Sequence, residues 1–364
     1  CSIWRLLTFT RVFIQPPFSG TPYTFNYSYD PAGNLLTMSV PSGSTTQSNT
    51  FQYDADNRIT SNTDFEYDTN GNLEKAKLNG VSYTYTYDSA NRLISVVGGS
   101  KTTSYTYDGD GLRLSKEVNG VTTKYHYFKG QLMYETSSDS PGVITALYIR
   151  SPQGALQAVR LKQSGQDNYY YYHYNAQGDV TAVTDASGNV YRQYFYDPYG
   201  NVIKVLDGSG ATVDINNDTG FNHAYTYRGY RYDQESGLYF LNARYYAAGI
   251  GRFLTKDTWK GSAKNPQSLN RYAYCEGDPV NLVDHTGNRP DVTGGQEGLD
   301  TYNSISQTNY RPSSAPIHYV AARRQADMKS AKNFVETVAD GIVGAKLKDL
   351  APAARITVVG QRIG

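Results

Sequence analysis

The stretch "YTYTYDSANRLISVV", residues 83 to 97, decides how this chain is read. Tyr and Thr alternate up to Tyr87, as a half-buried strand requires, and an apolar-rich strand runs on from Leu93. Between them Asp88 and Asn91 are residues that bond nearby backbone and close turns. The phrase returns as "YDPAGNLLTMSV" from Tyr29, "YDADNRITS" from Tyr53, "YDTNGNLEKAKL" from Tyr67, "YDGDGLRLSKEV" from Tyr107 and "YDPYGNVIKVL" from Tyr196, with a further Tyr-Asp at Tyr232. At the matching turn position Gly33 and Gly71 tolerate positive φ. Each phrase therefore reads as a β-hairpin of about 20 residues. One hairpin cannot bury its apolar face, whereas stacked hairpins cover one another. A reaction motif copied many times is the competing reading. Calcium loops need several oxygens and a Glu at the far end, which these turns lack. In "DINNDTG", residues 214 to 220, the Gly is misplaced and Tyr225 stands where the Glu belongs.

Composition supports a β-rich chain. Of 364 residues 35 are Tyr, whose ring packs on pleated surfaces while its hydroxyl seeks a polar partner. With 34 Lys+Arg against 33 Asp+Glu, the net charge of +1 gives no electrostatic case for nucleic acid or a membrane surface. Only Cys1 and Cys275 are present, so there is no disulfide framework and no multi-Cys metal site. No apolar run approaches the roughly 20 residues a membrane helix needs. "CSIWRLLTFTRVFIQ" carries two Arg in its apolar stretch and has no small-residue cleavage site, which makes a poor signal peptide. The chain also lacks an initiating Met, so it reads as a fragment whose export signal lies upstream.

"YTYRGYRYDQESGLYFLNARYYAAGIGRFLTKDTWKGSAKNPQSLNRYAYCEGDPVNLVDHTGN" follows the hairpins, from Tyr225 to Asn288. With the repeats before it, over residues 22 to 288, it resembles the YD-repeat proteins of the RHS family, which are related to bacterial toxin-complex C components and teneurins. The matching positions are Gly251-Arg252-Phe253, Asp257, Leu269 to Tyr274, Asp278-Pro279, Asp284 and Gly287. Four positions depart from the family pattern: Ala247 for Asp, Asp278 for Asn, His285 for Pro and Asn288 for Leu. The resemblance implies a spiralling antiparallel sheet that closes into a hollow shell, a core that plugs it, and a variable C-terminal segment as cargo.

The resemblance also implies a reaction. Several family members cut their own chain after the position of Asn288, using two core aspartates in the manner of an aspartic protease. Asp257 and Asp284 match those positions. Two carboxylates held close cannot both ionise, so one stays protonated while the other activates water. A substrate within the same chain is already in place. Asp257 and Asp284 are thus the candidate pair, Arg252 a candidate support, and Asn288 and Arg289 the candidate cleavage site. The competing reading makes both aspartates turn residues. His285 reads as a solvated turn residue and Cys275 as a small core residue. P-loop, HExxH, GxSxG and dinucleotide fingerprints are absent, and no cofactor or metal is expected.

These readings combine into an all-β chain. Residues 1–21 are an upstream fragment, 22–220 a YD-repeat β-shell, and 221–288 the RHS-associated core. Residues 289–364 are a variable segment, mixed α/β or irregular, either the start of a toxin or a tail. Its stripe Ala331, Phe334, Val335, Val338, Ile342 and Leu347 reads as a helix and "RITVV" as a strand. Residues 22 to 210 are expected to form one continuous sheet, with turns at Pro31-Gly33, Asn70-Gly71, Ala90-Asn91 and Pro198-Gly200 and an open N-terminal edge. The function expected is a secreted or cell-surface effector shell serving interbacterial competition. It presents its own C-terminal segment, meets delivery machinery and an immunity protein, and at most cleaves itself. A Tyr-rich sheet that binds surface glycans is the alternative.

Overall fold

The computed structural model describes residues 8–13, 23–42, 45–61, 64–151, 154–216, 224–288 and 290–292. The expected helix and strand beyond Ser330, Arg289 and most of the 214–220 loop lie outside the described residues.

Both residues of the repeated pair work for the fold. The Tyr reaches across its own hairpin layer to the preceding strand. Tyr87 donates its hydroxyl to the carbonyl of Leu73 at 2.7 Å, Tyr107 to that of Leu93 at 2.6 Å, and Tyr127 to that of Arg113 at 2.8 Å. Tyr53, Tyr174 and Tyr196 do the same with Leu35, Leu156 and Val180. The Asp then closes the turn. Asp88 Oδ1 accepts the N–H groups of Ala90 and Arg92 at 2.9 Å, and its Oδ2 accepts Arg92 Nε at 2.7 Å. Asp30, Asp68 and Asp197 repeat this with an Asn side chain four residues on. The same residue often ties one turn to the next: Asn72 Nδ2 donates to Asn91 Oδ1, and Arg92 Nη1 to the carbonyl of Asp108. The pair is a building unit.

Strands β1 (Thr8–Phe13), β2 (Tyr23–Tyr29), β3 (Leu35–Ser42) and β4 (Thr45–Thr50) form an antiparallel sheet in chain order. A second antiparallel sheet of fourteen strands, also in chain order, runs from β5 (Glu66–Tyr67) to β18 (Val202–Asp207). The expected turns form at Asp30–Asn34, Asp68–Asn72, Asp88–Arg92 and Asp197–Asn201. The expected single sheet from 22 to 210 does not: the ladder is interrupted between β4 and β5, where among the described residues Tyr53 and Ile59 make an isolated bridge. The spacing explains the break. Tyr53 and Tyr67 lie too close in the chain to hold a turn and two full strands.

Period-two alternation sends Tyr85, Tyr105 and Tyr125 to one buried face, and a register shift in the ladder brings Leu93 and Val96, three residues apart, to it together. That face is continuous with the aromatic interior of the segment after Tyr225. The segment contributes β19 (Arg231–Asp233), β20 (Leu238–Phe240), β21 (Tyr245–Ala247) and β22 (Arg252–Phe253), which pair in order. It lies across the tips of several repeat turns and hydrogen-bonds each of these. Asn270 binds Asn34 Oδ1, Arg252 Nη2 the carbonyl of Asn57, and the Tyr272 hydroxyl the carbonyl of Gly71. At the last repeat three hydroxyls claim three successive carbonyls: Tyr227 that of Pro198, Tyr246 that of Tyr199 and Tyr239 that of Gly200. Gly200 is required there, since its φ is +89° and a Cβ would lie 2.5 Å from the Tyr227 ring. Ion pairs also fasten this segment to the long sheet. Arg113 meets Asp233 at 2.5 Å with both side chains wholly buried, and Arg231 meets Glu135 at 2.7 Å. These four buried charges thus have the partners that burial demands.

Candidate functional site: two aspartates on one arginine

A last hairpin carries the site. Strand β23 (Leu282–Val283) pairs with β24 (Asp291–Val292), so residues 284 to 288 lie in its turn. Asp284 closes that turn as the repeat aspartates close theirs. Its Oδ1 accepts the N–H groups of Thr286 at 3.2 Å, Gly287 at 2.8 Å and Asn288 at 3.2 Å. Asp257 stands at the mouth of another loop, where its Oδ1 accepts the N–H of Trp259 at 2.8 Å. The Asp257 N–H donates to the carbonyl of Arg271, whose Nε returns a bond to the carbonyl of Asp257 at 2.7 Å.

One residue that sequence reasoning passed over brings these loops together. Arg244 Nη2 lies 2.6 Å from Asp257 Oδ2 and 3.8 Å from Asp284 Oδ2. Its Nη1 donates to the carbonyl of Arg271 at 3.0 Å, its Nε to the carbonyl of Gly287, and its guanidinium lies 3.7 Å from the Phe253 ring centroid. The two carboxyls are therefore joined through a shared guanidinium nitrogen, not through a direct hydrogen bond. The signal for Arg244 was "YFLNARYY", an Arg inside an aromatic strand pair that had to find buried acids.

Burial dominates the electrostatics. It raises the Asp284 carboxyl above its ordinary value, although Arg244 and the three turn N–H groups pull the other way. It also lowers Arg244 to about 10, against the upward pull of both aspartates. His285 is half-buried and not solvated as expected: burial, then the charge of Arg228, pushes its imidazole down to about 4. Cys275 sits in the core with its thiol pushed well up by burial and by Asp284. Arg252 is not part of this group; its guanidinium binds Asn57 and lies over the rings of Tyr53 and Tyr272. Asn288 is in the Asp284 turn, and Arg289 lies outside the described residues. Chemically the group holds a carboxyl inclined to keep its proton, a second carboxyl paired to a cation, and an N–H aimed at a chain carbonyl. Such a set can polarise that carbonyl and pass a proton.

The turn opens on a cavity of about 940 Å³. Its walls include His285, Thr286 and Asn288 on one side and the uncovered repeat turns at Asn91, Gly111 and Gly130 on another. Among the described residues no group of His, Cys, Asp and Glu could hold a metal ion, and no helix is long and apolar enough to cross a membrane.

Residues 14–280 match the family model described as Teneurin YD-shell. The tRNA nuclease WapA of Bacillus subtilis (strain 168) is 35% identical over 268 residues, covering 72% of this chain and 11% of that protein. Teneurin-1 of Gallus gallus is 29% identical over 281 residues, covering 71% of this chain and 9% of its own. Among solved structures, the Tc holotoxin pore of Photorhabdus luminescens aligns with a TM-score of 0.59 at 21% identity, over 74% of this chain and 13% of that one. The crystal structure of TcdB2-TccC3 gives a TM-score of 0.57 at 21% identity, over 73% and 14%. The chain thus spans about a tenth of the curated relatives it matches. The likeness to the toxin structures is one of fold.

Proposed function

Because this chain belongs to the teneurin YD-shell family, we propose that it is the C-terminal part of an RHS-type shell that encloses and presents its own C-terminal segment. One observation carries this reading. The segment after Tyr225 caps repeat turns at both ends of the row and sets the hairpin from which the C-terminal segment departs against a large cavity. On this reading residues 22–220 are shell wall, 221–288 plug, and 289–364 cargo. The buried tyrosines of the repeats supply packing more than open faces for sugars, which favours a shell over a glycan-binding sheet. A secreted or surface location, delivery machinery and an immunity protein belong to the same proposal. The nuclease activity in the relatives' names is theirs.

Self-cleavage next to Asn288 is the reaction the site supports. Asp284 supplies the proton, Asp257 activates water, and Arg244 keeps both carboxyls in place and holds the neighbouring chain through the carbonyl of Gly287. Holding the cargo is tested separately from cutting it. A protease site engineered between 288 and 289 in an N-terminally tagged chain is cut, and the products are run on size exclusion. The C-terminal piece is expected to stay with the tagged shell; its immediate separation would overturn the reading.

A further inference from the structure

The Tyr-Asp aspartates that close a turn with their own carboxyl are half-buried or exposed, with one exception. Asp197 in the last turn is 1% exposed. Its Oδ1 accepts the N–H groups of Tyr199 and Asn201 at 2.9 Å, and its Oδ2 accepts Asn201 Nδ2 at 2.7 Å. Other deeply buried carboxylates here have an arginine: Asp233 has Arg113, Glu135 has Arg231, Asp179 has Arg228, and Asp257 and Asp284 share Arg244. Asp197 has no ion pair among the described residues. An ionised carboxylate in that position is costly, because its hydrogen bonds offset only part of its desolvation and no opposite charge supplies the rest.

Its location gives that cost a consequence. Three bodies meet at this turn. Asn201, which holds the carboxyl, also donates to the carbonyl of Ala248 in the core at 3.1 Å and reaches Met38 Sδ of the N-terminal sheet at 3.7 Å. The Tyr199 hydroxyl bonds that of Tyr29, in β2 of the same sheet, at 2.7 Å. The three core tyrosines described above clamp the carbonyls of Pro198, Tyr199 and Gly200. The Tyr27 hydroxyl, buried and otherwise without a partner, faces the Asp197 carboxyl.

We propose that Asp197 is a proton-operated latch: taking up a proton tightens the joint between the N-terminal sheet, the last repeat turn and the core, and losing it loosens that joint. The latch rests on the fold alone and stands apart from any self-cleavage. The groups facing Asp197 are Tyr27 and Tyr29 from β2, Tyr199 in its own turn, and Tyr227, Tyr239 and Tyr246 from the core. Burial raises every one of these phenols, so none titrates near neutrality. Arg228, beside Tyr227, is held by Asp179 and by backbone carbonyls. Burial also raises Asp197 itself to about 6, against its hydrogen bonds. The sign follows. A carboxyl raised in the folded state stabilises it below the unfolded value and loses that contribution as pH rises through the folded one.

The test is hydrogen exchange of the full chain at two pH values, corrected for intrinsic rate. Protection at residues 25–29 should fall by about tenfold between about pH 5 and about pH 8, while residues 121–128, in the middle of the long sheet, do not follow. Asp197→Asn should make the two values equal. Equal protection in the unmodified chain, a change spread evenly over both segments, or an Asp197→Asn chain that keeps the full pH response would each overturn the latch. The unmodified chain alone decides the matter if the variant does not fold.

Discussion

Asp88 and Asp284 make the same turn and face opposite demands. In both, one carboxylate oxygen collects N–H groups from residues two and four further on. The other oxygen differs. In Asp88 it meets Arg92 of its own turn, half in solvent, and the hydrogen bonds of that turn hold the carboxyl below its ordinary value against a modest burial cost. In Asp284 it meets Arg244 from the bend between β20 and β21, inside the protein, where burial raises the carboxyl in spite of the cation. A single piece of local chemistry thus serves as scaffold when wet and as a candidate acid when dry. Environment, not motif, separates them.

The sharpest way to break the comparison is to remove the arginine from each. Arg244→Ala leaves two buried acids and the Gly287 carbonyl without their partner, and should lower stability by about 3–5 kcal/mol. Arg92→Ala removes a half-exposed partner and should cost about 0.2–1 kcal/mol. Chemical denaturation of both variants checks the ranking, and similar losses would erase the distinction drawn here.

Glycines sharpen it next. Gly71 and Gly33 hold the same turn position with φ of +87° and +77°. A Cβ at Gly71 would lie 2.8 Å from the Tyr272 hydroxyl and 2.5 Å from Lys256 Cε, whereas Gly33 has nothing within 4 Å. Gly33→Ala should therefore cost about 1–2 kcal/mol for its backbone alone. Gly71→Ala should cost more, because the core must also move. Equal melting points would mean that the core does not rest on that turn.

Smaller effects belong to the repeats. Tyr107→Phe deletes the bond to the Leu93 carbonyl and should cost about 1 kcal/mol by denaturation. Asp88→Asn should cost about 0.2–1 kcal/mol at pH 7: Asn keeps the N–H acceptor, as Asn175 does toward Gln177 and Asp179, but loses the charge that meets Arg92. The variant should also flatten part of the acid transition. Asp88 is lowered in the folded state, so its contribution is present above the unfolded carboxylate value and is lost as pH falls through the folded one. An acid-titration melt of Asp88→Asn that overlays the parent curve would remove Asp88 from the transition.

Much of this was legible in the residues, and the rest was hidden for a physical reason. The alternation around Tyr83–Tyr87 and the turn at Asp88 are local, so strands and turns could be read directly. The roles of the Tyr87 hydroxyl and of Arg92 are contacts between layers, which no single repeat displays. The break between β4 and β5 has its trace in the uneven Tyr-Asp spacing, 24 and 14 residues before the regular 20, which a uniform hairpin unit does not accommodate. The core defeated sequence reading more thoroughly. Arg252, inside the recognised "GRF", drew attention, while Arg244, in an aromatic stretch with no turn signal, makes the connection. Pairings between residues 244, 257 and 284 depend on how short loops fold over one another, and no period encodes that.

The intact mass of the chain over time, for the parent, Asp88→Asn, Asp257→Asn and Asp284→Asn, tests the central claim most directly. The account predicts slow division next to Asn288 in the parent and in Asp88→Asn, with Asp257→Asn and Asp284→Asn remaining whole and folded. A parent chain that stays whole, or an Asp284→Asn chain that divides at the parent's rate, would contradict it.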